Sequence, residues 1–211
     1  MKIRIFLSFF NIKKNILLIL LGSILSTVIY HSKWYSQKTM VTPYIAVLVY
    51  TPLFLFCQTR YFISSTPYIA VRMKITDRLK IMAVDKILSA FLWGIFLSMV
   101  QLSLSNNLWN LLLLQKFVLY FFYFIAVSSM VNTFYIYTKN SAASFSLSLS
   151  ILIVDYYLSV FGNIMGIKGV ILYTVFAGTS FIRSSVSILA LNLILVIAQV
   201  YLCYFNMDLI E

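Results

Sequence analysis

Few side chains in this sequence are equipped for chemistry. One histidine, His31, two cysteines, Cys57 and Cys203, and five acids, Asp77, Asp85, Asp155, Asp208 and Glu211, make up its whole stock of imidazole, thiol and carboxyl groups. None of them falls in an HExxH, GxSxG, GxGxxG or phosphate-loop spacing, and neither cysteine has a CxxC or Cys/His ligand partner nearby. Asp155 is the one acid inside a long apolar run, so no pair of carboxylates can be assembled at membrane depth. His31 and Cys57 end up on opposite sides of the bilayer in the topology derived below. We therefore expect no catalytic, cofactor-binding or metal-binding residue in this chain. An enzyme is not the expected class.

The elements that must carry these residues are membrane spans. The 211 residues are 62% hydrophobic and 10% charged, with a mean hydropathy of +0.97. Soluble domains carry about a quarter charged residues. A bilayer-crossing helix takes about 20 residues, so five or six spans leave only short connections and no room for a soluble catalytic or nucleotide-binding domain. The net charge of +11 belongs to residues flanking apolar runs, where cations set orientation and meet anionic headgroups. Nucleic acid is not an expected partner; membrane lipids are.

Apolar runs predict an all-α integral membrane protein of about six spans: Asn15 to Tyr30, Thr42 to Phe56, Ile87 to Leu104, Phe117 to Tyr137, Ala142 to Phe161 and Ser185 to Met207. The first is read as a retained anchor, because Val28, Ile29, Tyr30 and His31 offer no small-residue cleavage site. Eleven cations (Lys2, Arg4, Lys13, Lys14, Arg60, Arg72, Lys74, Arg78, Lys80, Lys86 and Lys139) fall on one side and five (Lys33, Lys38, Lys116, Lys168 and Arg183) on the other. That bias predicts a multi-pass plasma-membrane protein with both termini in the cytoplasm. Cys57 and Cys203 then lie toward the reducing side, as thiols. Pro52 removes a backbone hydrogen bond and is expected to kink the second span.

Two segments flank this bundle. In residues 1–14, Arg4, Ser8, Asn11 and Asn15 line one helical face and apolar residues fill the rest, which predicts an interfacial amphipathic helix on the inner leaflet. An early-starting first span is the alternative. Residues 162–184 contain an apolar run, Val170 to Ile182, too short to cross, and are read as a re-entrant outer segment between spans 5 and 6. A seventh span fits the charge bias equally well.

The richest polar stretch is the inner connection, residues 63–86, within Arg60 to Lys86: RYFISSTPYIAVRMKITDRLKIMAVDK. Thr66–Pro67 is a helix-start signal, and Thr76–Asp77 a second one. One or two short interfacial helices are expected there. A basic loop that only sets topology is the plain reading, and a docking surface for a cytoplasmic partner is the functional one. With its amphipathic N-terminal helix, six spans, basic helical connection and outer re-entrant segment, the layout resembles the permease subunits of the type-2 ATP-binding-cassette exporter family. The stretch PYIAVRMKITDRLKIMAVDKIL is similar to the one that carries this family's coupling helix. The resemblance implies a single permease domain over 1–211, pairing with a second permease subunit, the same or homologous. It also implies a separate cytoplasmic ATPase that binds the ATP and Mg, with Arg72, Arg78 and Lys80 contacting it and Leu79 and Ile81 as apolar anchors.

On the fifth span, Ser141, Ser144, Ser148 and Asp155 share a narrow stripe. Small hydroxyl residues let helices approach and hydrogen-bond, so Ser144, Ser148 and Asp155 are candidate pathway or subunit-interface residues. Asp155 also reads as an acid tolerated at the outer interface beside Tyr156 and Tyr157. The aromatic-rich spans fit an amphipathic peptide or lipid-like cargo moving outward. Two rival classes remain. A membrane substrate-capture subunit of a vitamin or metal uptake system would place its polar groups in an outer pocket. A membrane immunity or sensor protein would bind a toxin or peptide.

Overall fold

The computed structural model describes residues 12–31, 46–64, 75–104, 111–165 and 181–205. Among them the chain is helical except at Lys139 and Asn140, with no strand. In order come α1 (Ile12–His31), a π-helical turn (Ala46–Tyr50) leading directly into α2 (Thr51–Ser64), α3 (Ile75–Leu104), α4 (Leu111–Thr138), α5 (Ser141–Met165) and α6 (Phe181–Phe205). Four of these are long and apolar enough to cross a membrane, over Ala83–Val100, Leu114–Thr138, Ser141–Leu158 and Ser184–Phe205. The apolar stretches of α1 and α2, Asn15–Ile29 and Leu48–Gln58, are shorter.

Helix ends follow from local chemistry. α4 stops where Lys139 takes a left-handed φ of 53°, its N–H still donating to the Tyr135 carbonyl at 2.8 Å, the usual way a helix closes its last turn. Asn140 then caps α5, its Oδ1 accepting the N–H groups of Ala142 at 2.9 Å and Ala143 at 3.3 Å. The result is a two-residue link that turns α4 back on α5. At the start of α2, Pro52 lacks the N–H that would bond to residue 48, and its ring would crowd that carbonyl in a regular helix. The turn before it, Ala46–Tyr50, is the wider π-helical kind.

Several expected boundaries are corrected. α3 is one unbroken helix from Ile75, close to the Thr76–Asp77 start, through the region taken as interfacial and on to Leu104. Nothing in it stops a helix: it contains no proline and a single glycine, Gly94. α2 continues as helix to Ser64, past the apolar stretch that ends at Gln58, close to the expected Phe56. Lys13 and Lys14 lie within the described helix α1. Residues 162–165 finish α5 and 181–184 begin α6. The amphipathic face over residues 1–11, the Thr66–Pro67 start and residues 166–180 lie outside the described residues.

α4 is the hub, packed against α2, α3, α5 and α6. Its apolar stretch is 61% buried, against 17% for that of α6. Paired residues fix the directions: α3 runs antiparallel to α4, with Phe91 against Phe117 and Phe121, and the two come so close at Gly94 that an added Cβ would sit 3.3 Å from the Phe121 backbone nitrogen. The interior mixes an apolar core around Trp93, Phe54 and Phe124 with buried polar groups, and the exterior is apolar. Ser26, Thr51, Ser128, Ser129, Ser144 and Ser148 are fully buried, while Leu17, Leu193, Ile194 and Tyr201 are among many large apolar side chains left exposed. The apolar exterior is what sets it apart from a soluble protein.

Candidate functional site

The buried polar groups form two layers along α4, six to seven residues apart, or about 10 Å at 1.5 Å per residue. In the first, Thr51 Oγ1 and the Tyr123 hydroxyl share a hydrogen bond of 2.8 Å, and Asn192 Nδ2 on α6 donates to the Phe122 carbonyl at 3.1 Å. Beside them Trp93 meets Tyr50, Phe54 and Phe124 at centroid distances of 6.0, 5.6 and 6.0 Å. Its Nε1–H donates to Asn15 Oδ1 on α1 at 2.9 Å. Offset and edge-on contacts of this kind suit aromatic quadrupoles, and the indole N–H has the partner that burial demands.

The second layer holds a cation. Lys86 on α3 is buried, 8% exposed. Its ammonium donates to Ser129 Oγ on α4 at 3.3 Å and to Gln199 Oε1 on α6. Gln199 completes a ring by donating Nε2–H to the Ser129 carbonyl at 2.6 Å. Three residues from three helices thus close a cycle in which both acceptors for the charge are neutral oxygens. On the α2 side of the same layer, the Ser128 hydroxyl donates to Gln58 Oε1 at 3.2 Å. An ammonium has three donors, and in an apolar bundle their solvation must come from such acceptors.

α6 meets α4 through a repeated device. Asn192 and Gln199, seven residues apart, both donate an amide N–H to an α4 carbonyl, at Phe122 and Ser129, which are also seven apart. The helices therefore run parallel in fixed register. α6 is otherwise apolar around most of its surface, so these two amides distinguish one azimuth and one register from the rest.

The sequence-predicted residues fall into three groups. Ser144, Ser148 and Asp155 do share a face: with Leu152 they are buried in turn along α5, which packs against α2 and α4. Asp155 is 6% exposed, so its surroundings are the bundle interior, and it lies near enough to Tyr123 to interact with it electrostatically. The Ser144 hydroxyl donates to the Ser141 carbonyl at 2.9 Å, whereas Ser148 Oγ is buried with no partner among the described residues. Of the proposed coupling residues, Lys80 is exposed on α3 and Arg78, Leu79 and Ile81 lie on the same helix, their side chains outside the described residues along with Arg72. Cys57 and Cys203 are both thiols, partly buried.

Lys86 is a correction: expected among the inner topological charges ahead of the third span, it sits inside the bundle. So is Asp85, which falls with it inside the apolar stretch Ala83–Val100, so Asp155 is not the one acid in such a stretch. Charge counting treats every cation flanking an apolar run alike, and Lys86 directly precedes one. Ser129, Asn192 and Gln199 were passed over because they are neutral. Their signal was present all the same: two amides at heptad spacing on the most apolar span. The chain matches no family model, no curated protein and no solved structure.

Proposed function

We propose that this chain is the membrane-embedded permease subunit of an ATP-driven exporter. It crosses the membrane about six times with both termini in the cytoplasm, and a separate cytoplasmic ATPase and a second permease subunit complete the transporter. The observation that supports this reading best is α3. It runs without a break from Ile75, in the basic stretch that carries Arg78 and Lys80, to Lys86 in the interior of the bundle. In this reading the ATPase would dock on the same continuous helix that carries Lys86 into the bundle. The segment from Ile75 to Lys86 is about 16 Å long at 1.5 Å per residue. A loop serving only to set topology needs no such continuity. An amphipathic peptide or lipid-like molecule remains the proposed cargo.

The experiment is co-purification. The chain is co-expressed with a candidate stand-alone P-loop ATPase from its own genome, and the triple variant Arg72→Glu, Arg78→Glu, Lys80→Glu is compared with the parent. The expected outcome is an ATP-hydrolysing complex for the parent and loss of the ATPase from the variant, with insertion intact because Lys2, Arg4, Lys13 and Lys14 still favour an inner N-terminus. Charge reversal at a rim weakens association and at a desolvated contact abolishes it. Retention of the ATPase by the triple variant, or altered orientation with unaltered ATPase binding, overturns the docking role.

A further inference from the structure

We propose that Lys86 is a clamp that makes the inner ends of α3, α4 and α6 move as one unit, so that displacement at the start of α3 is delivered to α6. The proposal rests on the permease reading only for the source of the force; the clamp itself is a property of the chain. Three observations carry it. The ring of Lys86, Ser129 and Gln199 takes one residue from each of the three helices. α3 extends unbroken on the far side of Lys86 to Ile75, so a lever exists. And Gln199 is the buried polar contact of α6 at this level: α6 packs along α4, while Ile197, Val200 and Tyr201 around Gln199 are exposed.

The polar contact also has the chemistry of a connection that can be remade. A carboxylate opposite Lys86 would fix the helices with a pair that is costly to separate in an apolar medium. The hydrogen bonds across to α4 and α6 go to neutral acceptors, which another amide or hydroxyl can replace, while the charge of Asp85, the neighbouring residue on α3 itself, moves with Lys86. The Asn192 pin, two turns away, has no charge and ties α6 to α4 alone. Loss of the clamp should therefore loosen one end of α6 and spare the other.

The test uses the full chain in lipid vesicles with Cys57→Ser and Cys203→Ser, carrying nitroxide labels on cysteines introduced at two pairs of exposed positions. Val84 on α3 and Tyr201 on α6 report the clamped end, and Leu114 on α4 and Val186 on α6 report the other. In the parent, both pairs give one narrow distance peak. Lys86→Met is expected to abolish the narrow peak of the Val84 and Tyr201 pair while leaving the Leu114 and Val186 pair unchanged. Gln199→Leu, an independent variant should Lys86→Met fail to insert, is expected to do the same, and the double variant to add nothing, since the residues act as one unit. Unchanged distributions at both pairs overturn the clamp, and so does equal broadening at both, which marks a general defect. The ATPase co-purification is scored separately: its failure removes the permease reading and leaves the label result standing.

Discussion

Lys86 and Trp93 stand two turns apart on one face of α3, and the surroundings built for them differ in kind. Trp93 is enclosed by Tyr50, Phe54 and Phe124 and hydrogen-bonded to Asn15, so its contribution comes from close packing of rings and scales with the area in contact. Lys86 is enclosed by oxygens, a hydroxyl and an amide, and its burial is tolerated only because those acceptors stand where the ammonium arrives. The first arrangement holds helices together without caring much about register. The second is satisfied in one register alone. An apolar bundle with an apolar exterior needs both, because lipid tails give side chains no reason to turn inward.

The sharpest way to break this contrast is to remove its two members in turn. Trp93→Ala empties the aromatic layer and leaves Asn15 without its donor, which should cost about 3–5 kcal/mol, read from reversible unfolding of the chain in mixed micelles followed by far-ultraviolet circular dichroism. Lys86→Met, of similar length, should cost less, about 1–3 kcal/mol, the penalty for leaving buried neutral acceptors unmet. Removing one member of a buried ion pair costs about 3–5 kcal/mol. A loss of about 3–5 kcal/mol for Lys86→Met would therefore mean that the neighbouring Asp85 carboxylate, and not the neutral ring, carries the contribution of Lys86.

How far the sequence foretold this differs between the two regions for a physical reason. Apolar length is local, so the four long helices were legible, with ends within a few residues of Ala83–Val100, Leu114–Thr138, Ser141–Leu158 and Ser184–Phe205. The stripe of Ser144, Ser148 and Asp155 was legible because helical spacing alone places residues on one face, although the choice between bundle interior and outer interface was not. Lys86 was illegible because its role depends on Ser129 and Gln199, 43 and 113 positions away, and no local pattern reports which helices become neighbours. Trp93 was missed differently: among 36 aromatic residues (15 Tyr, 18 Phe, 3 Trp), one at the centre of a cluster looks like any other.

The smallest expected effect tests whether hydrogen bonding in the aromatic layer is incidental. Thr51 Oγ1 and the Tyr123 hydroxyl meet at 2.8 Å between α2 and α4, both fully buried. Thr51→Val and Tyr123→Phe each delete one hydroxyl and keep the shape, so a double-mutant cycle isolates the bond. Hydrogen bonds between helices in a membrane average about 0.6 kcal/mol, because the separated helices find other partners, and a coupling of that size is expected from unfolding in micelles. The same cycle on Lys86→Met and Gln199→Leu should give a larger value, since hydrogen bonds to a charged group are the stronger ones. A Thr51 and Tyr123 coupling at or above that of Lys86 and Gln199 would reverse the assignment, placing the register-setting contact in the layer of Trp93 and leaving Lys86 as a buried cation with a passive role.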